Sequence, residues 1–202
     1  MLQARNQATK SGSSLKIRRN QLVALGSNVT SPAGNPAQTL QKALQILQNC
    51  GAMIRATSAF YHTPAFPAGI GPDFVNACVM ISTEWRPDET LAQLHAIEAE
   101  LGRLRKKRWG ERTLDLDLLA AGDAVLPDAQ TQENWRNLAL SEQVEHVPDD
   151  LILPHPRLQD RAFVLAPLCD IAPDWRHPLL GLTARQMLDA LPETEKTAVR
   201  RV

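Results

Sequence analysis

Leucine and aspartate alternate in the segment TLDLDLL, and this alternation constrains the fold more than any other feature of the sequence. A period of two places Leu114, Leu116 and Leu118 on one face of a β-strand and the two aspartates on the other. We therefore predict a strand that buries its leucine face. Asp115 and Asp117 then lie side by side on the opposite face, with Cα atoms roughly 6–7 Å apart.

Strand and helix signals elsewhere follow the order β-α-β-β-α-β. Strands are predicted at QLVALGSN, which ends in a Gly-Ser-Asn turn, at residues 52–61 and at FVNACVMIST, before the leucine and aspartate segment. This order is typical of an α+β fold, a ferredoxin-like α/β sandwich in which an antiparallel sheet carries helices on one face. Two extra C-terminal helices are predicted at residues 161–172 and 183–191. We expect the opposite face of the sheet to be free to carry a site.

The two helices of the sandwich have clear start and stop signals. The first begins with Asn35 as N-cap and Pro36 at the first helical position, and it ends at Gly51. Its buried stripe is predicted at four apolar positions: Leu40, Ala43, Leu44 and Leu47. The second helix, PDETLAQLHAIEAEL, has acidic residues in its first turn and a glycine directly after it. Between them, HTPAFPAGIGP at residues 62–72 is predicted to be a loop because proline and glycine disfavour regular structure.

Length and composition fit one globular domain. The chain has 202 residues, 44% of them hydrophobic, and its 22 basic and 22 acidic side chains balance. We predict a single domain over residues 21–202, preceded by a disordered tail over 1–20 and interrupted by a polar surface insertion near 127–147. The three cysteines form no CxxC pair and are interpreted as buried small residues. With no membrane-length apolar stretch and no secretory signal, we expect a cytoplasmic protein, and we expect it to act as a monomer.

The paired carboxylates indicate a metal-bound phosphate substrate. Two carboxylates this close resist joint ionisation unless a cation or strong donors lie between them. Mg²⁺ takes one or two protein carboxylates and completes its shell with water and substrate phosphates. The basic segment RLRKKRWGER, residues 103–112, leads into the aspartates and could wrap a polyphosphate. Neither a P-loop nor a GxGxxG motif occurs, so a nucleotide would bind outside those schemes.

These features also have plainer interpretations. An isolated pair of aspartates is more often a solvated strand face, and a basic loop can be a solvated surface or a nucleic-acid contact. On the second helix, His95 and Glu98 are interpreted as part of a solvent-exposed, or wet, helix edge.

The other candidate ligand-binding residues also have two interpretations each. Phe74, Phe163 and Trp109 could stack a flat heterocycle, or they could pack the core. His155 and Arg161 could pair with phosphate, or they could be structural.

Five segments then occur in an order found in one enzyme family: ALGSN, FYHTPAF, PDFVNA, RWGERTLDLDLL and LPHPRLQDRAFVLAPL. From about Gln21 to about Trp175 the sequence resembles the 6-hydroxymethyl-7,8-dihydropterin pyrophosphokinases. The segment RWGxRTLDLD is highly specific for that family. The resemblance implies a folate-biosynthesis enzyme that transfers a pyrophosphoryl group from ATP, its co-substrate, to the hydroxymethyl group of the pterin and releases AMP.

The resemblance also implies roles for individual residues. Asp115 and Asp117 would bind two Mg²⁺ ions that bridge the ATP phosphates, and Arg103 and Arg112 would act in catalysis. The implied pterin-binding residues are Thr63, Pro64, Phe66, Phe74, Asn76, Trp109 and Phe163. The implied ATP-binding residues are Glu98, Arg105, Arg112, His155 and Arg161. Neither a nucleic acid nor a membrane is expected as a partner.

In the implied mechanism, the pterin oxygen attacks the β-phosphorus in line, and the protein contributes positioning and charge neutralisation. Closure of the loops 62–72 and 103–112 would exclude water. Two positions depart from the family pattern. Phe74 stands where many relatives have tyrosine, and Gln159 stands where some have lysine.

Two other classes of protein share part of this pattern. A nucleotidyltransferase also combines a Gly-Ser turn with a metal-binding pair of aspartates, but here Gly26 lies far before Asp115 in the chain. An RNA-binding module could use a ferredoxin-like sheet with exposed aromatics and a basic loop, although the clustered aromatic pattern of such modules is absent.

Overall fold

The computed structural model describes residues 17–65, 71–103, 112–139, 142, 146 and 148–202. Its strands are β1 Arg19–Ser27, β2 Met53–Thr57, β3 Tyr61–Thr63, β4 Phe74–Thr83, β5 Asp115–Ala121 and β6 Arg200–Arg201. The helices in this part of the chain are α1 Pro36–Asn49, α2 Pro87–Glu100, α3 Ala129–Asn137, α4 Ala162–Ile171, α5 Ala184–Ala190 and α6 Glu193–Ala198. None of the helices described is both long and apolar enough to cross a membrane.

The strands form one sheet in the order β5-β1-β4-β3-β6, and β2 pairs with β4 beside β3. All the pairings are antiparallel. The central strand β1 therefore pairs with β4 on one side and β5 on the other. This arrangement confirms the predicted α+β, ferredoxin-like sandwich.

Helices α1 and α2 cover one face of the sheet, where the larger hydrophobic core lies. Alternate residues of β1, β4 and β5 point into it, including the three leucines of the leucine and aspartate segment. Core residues with at most 3% exposure include Val23, Leu25, Leu40, Leu47, Val79, Ile81, Leu94, Ile97, Leu114, Leu116 and Leu118. The predicted strand with a buried leucine face is confirmed.

The start of α1 also agrees with the prediction. The Gln38 backbone N–H donates to Asn35 Oδ1 at 3.0 Å, and Gln38 Oε1 accepts from the Asn35 N–H at 2.9 Å. These two bonds satisfy donors that a helix N-terminus leaves open. The buried stripe differs at one position, because Ile46 is buried whereas Leu44 is only partly buried.

The opposite face of the sheet is not free, so that prediction is wrong. Helix α4 packs on it over a second core, which holds Leu22, Cys78, Leu119, Leu165 and Leu168 among its buried members. The sheet residues of this face are apolar at one end and would be costly to expose. In the part of the chain that the structure describes, the other end of this face, where Asp115, Asp117 and Phe74 lie, is left for a site.

The strand predicted at 52–61 is two strands. The chain leaves β4 after Thr57 and returns to it at Tyr61, so the first two residues of the predicted loop 62–72 belong to β3. Between them, the Ser58 hydroxyl oxygen accepts from the Cys78 N–H at 2.9 Å, which satisfies the β4 backbone in the gap between its pairings with β2 and β3.

Two smaller predictions also need correction, on the tail and on the cysteines, and the predicted insertion contains regular structure. Residues 19 and 20 of the predicted tail lie in β1, while residues 1–16 lie outside the described part of the chain. The insertion near 127–147 contains α3, capped by Asp128, and its Gln132 is fully buried and donates to the Pro154 carbonyl at 3.1 Å. Of the three cysteines, Cys78 and Cys169 are buried, but Cys50 is exposed at the end of α1.

A buried histidine lies in the turn before α5. His177 has 0% exposure, and its Nδ1 accepts from the Leu179 and Leu180 N–H groups, both at 3.2 Å. Burial, reinforced by the charge of Arg136 on α3, lowers the pKa of His177 to about 4. The folded protein therefore holds this ring neutral under conditions in which an unfolded chain would protonate it.

We expect acid to destabilise the protein through His177. A histidine whose folded pKa is depressed contributes its full stability above the unfolded value of 6.5 and loses it as the pH falls towards about 4. His177→Asn keeps an acceptor near the Nδ1 position and removes the titration. Urea unfolding at pH 7 and pH 4.5 should show wild type losing about 2–3 kcal/mol more stability than the variant. Parallel losses in the two proteins would contradict this assignment.

Candidate active site

Three strands bring a carboxylate, a glycine and an amide into one row across the sheet. Gly26 of β1 pairs directly with Asp115 of β5 and with Asn76 of β4. All three lie on the face that α4 covers elsewhere, at the end that α4 leaves open. Asp117 occupies the next position along this face and pairs with Ala24. The two predicted metal ligands on β5 thus lie on the same face of the sheet as two predicted pterin-binding residues on β4, Asn76 and Phe74, with β1 between them.

Asp115 is held by two arginines that begin and end the basic segment. Arg103 Nη1 lies 2.7 Å from Asp115 Oδ1, and Arg112 Nη1 bonds Asp115 Oδ2. The Asp115 side chain is only 17% exposed, so these pairs are weakly screened by solvent. The structure therefore brings together both predicted catalytic arginines and the first predicted metal ligand.

Glu98 supports this cluster from the interior. Its side chain is 2% exposed, and its Oε1 accepts from the Leu116 N–H at 2.8 Å and from Arg103. Burial opposes the charge on Arg103, but the carboxylates of Asp115 and Glu98 outweigh it and raise the pKa of the guanidinium. The interpretation of Glu98 as a wet helix edge is wrong, because the carboxylate is buried against β5. His95, three residues earlier, is exposed.

Asp117 is the more accessible carboxylate. Its side chain is 38% exposed, and Arg161 Nη1 lies 4.0 Å from its Oδ2. Arg161 directly precedes α4, and its guanidinium also lies 5.7 Å from the ring centroid of Phe163, in a cation–π arrangement. Burial lowers the pKa of Arg161, and the charge of Asp117 opposes that shift.

His155 lies beside this group. Its backbone N–H donates to the Leu119 carbonyl at 2.9 Å, and its Nδ1 accepts from the Arg157 N–H at 3.1 Å. Burial, reinforced by the charge of Arg161, lowers the pKa of His155 to about 3. With Nδ1 accepting, the neutral ring carries its proton on Nε2, so it can donate one hydrogen bond.

The predicted pterin-binding residues that the structure describes lie at the same end of the sheet. Asn76 is 6% exposed, and its Nδ2 donates to Thr63 Oγ1 at 2.6 Å, which fixes the amide orientation. Phe74 pairs with Thr63 across β3 and β4, and Pro64 follows with an exposed ring. Phe163 enters from the first turn of α4 with 37% exposure. Phe66, Arg105 and Trp109 lie outside the described residues.

Two residues that the sequence analysis treated only as a turn fix the boundaries of the site. Ser27 Oγ donates to the Thr113 carbonyl at 2.6 Å. Asn28 is 6% exposed, accepts from the Arg112 N–H at 2.8 Å through Oδ1, and donates to the Pro72 carbonyl at 3.2 Å through Nδ2. Asn28 therefore joins the end of the basic segment to the chain just before Phe74. The signal available in the sequence was an asparagine placed directly after a strand, where its side chain can bond nearby backbone.

Three arginines lie close to the two predicted metal ligands: Arg103, Arg112 and Arg161. Repulsion between Asp115 and Asp117 is already offset by three guanidinium groups, so charge balance between the two carboxylates does not by itself require an ion. No group of three or more metal-ligating side chains occurs among the residues described. Two carboxylates alone fit a hard divalent ion whose remaining ligands are water and substrate phosphates, as Mg²⁺ prefers.

Comparison with known proteins identifies relatives of this chain. Residues 22–173 match the family model described as 7,8-dihydro-6-hydroxymethylpterin-pyrophosphokinase, HPPK. A 2-amino-4-hydroxy-6-hydroxymethyldihydropteridine pyrophosphokinase of Synechocystis sp. is 36% identical over 83% of this chain and 74% of its own length. The enzyme of the same name from Haemophilus influenzae is 38% identical over 75% of this chain and 81% of its own length.

Solved structures show the same fold. A crystal structure of a Plasmodium falciparum HPPK-DHPS triple mutant superposes with a TM-score of 0.63 and 17% identity, covering 88% of this chain and 45% of the other. Our chain thus spans less than half of that longer protein, and at this identity the likeness shows the fold alone. The family model and the curated relatives carry the assignment: the chain belongs to the 7,8-dihydro-6-hydroxymethylpterin-pyrophosphokinase family.

Proposed function

We propose that this protein transfers the pyrophosphoryl group of ATP to 6-hydroxymethyl-7,8-dihydropterin, giving AMP and the pterin diphosphate in folate biosynthesis. The observation that carries the proposal is the row formed by Asp115, Gly26 and Asn76. It sets a carboxylate and its arginines on β5 and an oriented amide on β4, with only β1 between them, so a phosphate donor and a heterocyclic acceptor can meet across β1.

The cationic side chains would bind the triphosphate. Arg103 and Arg112 now neutralise Asp115, and a triphosphate offers both guanidinium groups stronger partners in a partly buried setting. Arg161 and the Nε2–H of His155 add donors from the side of α4. Glu98 would act through Arg103, since a carboxylate with 2% exposure is turned away from ligand. Arg105 belongs to the same proposed set on the family resemblance alone.

Asp115 and Asp117 would hold Mg²⁺, and the family resemblance implies two ions. Bound Mg²⁺ would neutralise charge on the phosphates. The exposed Asp117 offers oxygens directly, while Asp115 would release at least one arginine first. The pterin would stack between Phe74 and Phe163, and Asn76 and the chain around Thr63 and Pro64 would bond its polar edge. Phe66 and Trp109 are proposed as further pterin contacts on the resemblance alone.

The chemical step needs no protein nucleophile. The hydroxymethyl oxygen attacks the β-phosphorus and loses its proton, and the bond between that phosphorus and the oxygen that leaves with AMP breaks. What this chain supplies is the alignment of two bound substrates and a cationic surround for the charge that develops, which is where most phosphoryl-transfer catalysis originates.

The RNA-binding alternative fits the structure less well. An RNA-binding sheet needs its stacking surface exposed, whereas α4 covers the middle of this face with Leu165 and Leu168. A nucleotidyltransferase would transfer AMP rather than release it. The monomeric state and the cytoplasmic location stay predictions from the sequence.

The proposal is tested by ³¹P NMR of the protein with ATP, Mg²⁺ and 6-hydroxymethyl-7,8-dihydropterin. We expect signals of AMP and of a pterin diphosphate to rise together. AMP attached to the acceptor would indicate a nucleotidyltransferase instead. No change in the spectrum with folded protein that binds ATP would contradict the proposed acceptor.

Asp117→Asn should lower the transfer rate by about a hundredfold or more while leaving the fold intact. The rate falls because Asp117 would hold Mg²⁺. The fold is kept because Asp117 is partly exposed and its neutral replacement leaves no closely paired buried charge behind. The same NMR assay measures the rate, and Asp123→Asn, in the exposed turn after β5, is the matched control. Full activity of Asp117→Asn at saturating Mg²⁺ would rule out a metal-binding role.

Phe163→Ala should weaken pterin binding by about ten- to a hundredfold and change ATP binding much less, because stacking on an aromatic ring is the lost interaction. Calorimetric titration with each ligand gives the two constants. Leu182→Ala removes a similarly exposed apolar side chain away from the site and serves as control. Equal losses for the two ligands would count against the stacking role.

A further inference from the structure

Gly26 is the next-to-last residue of the central strand β1 and pairs with a strand on each side, a position where glycine is normally unfavourable. It weakens a strand because it has no side chain to pack and is flexible when unfolded. The backbone does not require it, since Gly26 is not among the glycines with positive φ: Gly34, Gly51, Gly102, Gly122 and Gly181. An alanine could adopt this strand conformation. The reason for a glycine must lie in the space above it.

That space is bounded on three sides by residues of the site. A Cβ added to Gly26 would lie 2.9 Å from Asn76 Oδ1, 3.9 Å from Asp115 Cβ and 3.9 Å from Phe74 Cδ1. Real Cβ atoms essentially never approach another heavy atom within 3.0 Å. Without a Cβ, the sheet surface between Asp115 and Asn76 is bare backbone. We call this surface the Gly26 strip.

We propose that Gly26 is a specificity-determining residue: the Gly26 strip admits the one-carbon substituent of the bound pterin, so that its oxygen reaches the phosphates held beside Asp115. The inference rests on the proposed function and adds a role that no motif or ligand set assigns. The pterin ring belongs over Phe74 and Asn76 and the phosphates beside Asp115, and Gly26 pairs with both Asn76 and Asp115. The substituent must therefore pass over Gly26.

A second explanation is that the glycine merely makes room for the Asn76 amide. The two explanations differ in which ligands they affect. Displacing Asn76 would weaken every pterin, because the amide bonds the ring edge. Filling the Gly26 strip would weaken only pterins that carry a substituent at the hydroxymethyl position.

The test compares two ligands, 6-hydroxymethylpterin and unsubstituted pterin, by fluorescence titration with Mg²⁺ and α,β-methylene-ATP present. The proteins are wild type, Gly26→Ala, Asn76→Ala and Gly26→Ala/Asn76→Ala. In the Asn76→Ala background the 2.9 Å contact no longer exists, so the added methyl group meets only the strip. The readout is the ratio of the two dissociation constants in each protein, with thermal unfolding as the check on folding.

We expect the added methyl group to raise this ratio against the hydroxymethyl ligand by about tenfold in both backgrounds. An unchanged ratio, whether both ligands weaken equally or neither does, would overturn the inference and leave the proposed function standing. Failure of wild type to bind either pterin would overturn the proposed function, and this inference with it. If the double variant unfolds, Gly26→Ala alone still tests the inference. Displacement of Asn76 would weaken both pterins equally and so would not change the ratio of their dissociation constants.

Discussion

The register of β5 and β4 on the central strand β1 is the constraint on which the rest of the site depends. Side chains alternate between the faces of a strand, so a slip of one residue would turn every side chain to the other face. In β5 such a slip would put Asp115 and Asp117 into the core under α1 and α2 and would expose Leu116 and Leu118. The leucine face thus fixes the register, and the register fixes where the carboxylates stand relative to Asn76.

Charge compensation then decides how the carboxylates can exist there. A carboxylate that is largely out of water needs a close partner, and Asp115 has two, from opposite ends of the basic segment. Glu98 secures one of these arginines and also bonds the β5 backbone, so the ion cluster and the strand stabilise each other. The arrangement stores cationic groups at the place where a polyanionic substrate would need them. Binding can exchange one set of partners for another without leaving a charge uncompensated.

Much of the fold could be predicted because the signals were local. The N-cap at Asn35 and the alternation around Asp115 depend only on neighbouring residues, and the order of elements limits the topology. Sequence patterns could not show that α4 returns to cover the second face, since this contact joins residues far apart in the chain. The break between β2 and β3 was missed for the same reason, because it depends on Ser58 meeting Cys78 across the sheet.

For the candidate site too, one part could be predicted from the sequence and another could not. The identities of Asp115, Asp117, Asn76 and the arginines could be proposed from motifs. Their partners could not, because a sequence does not reveal that Glu98 turns inward, that Asn28 joins two chain segments, or that Gly26 lies between the two halves of the site. Those contacts can be seen only once the register of β5 and β4 on β1 is known. They place the proposed acceptor on the Asn76 side of Gly26 and the proposed phosphate donor on the Asp115 side.

The central claim is that the hydroxymethyl oxygen, brought over the sheet from the Asn76 side, attacks phosphorus. The most direct test uses pterin labelled with ¹⁸O in the hydroxymethyl group and follows the reaction with ATP by ³¹P NMR and mass spectrometry. The account predicts that the label is retained between the carbon and the phosphorus of the pterin diphosphate and that AMP is unlabelled. Loss of the label from the pterin product would mean that the carbon–oxygen bond breaks instead, and that result would contradict the account.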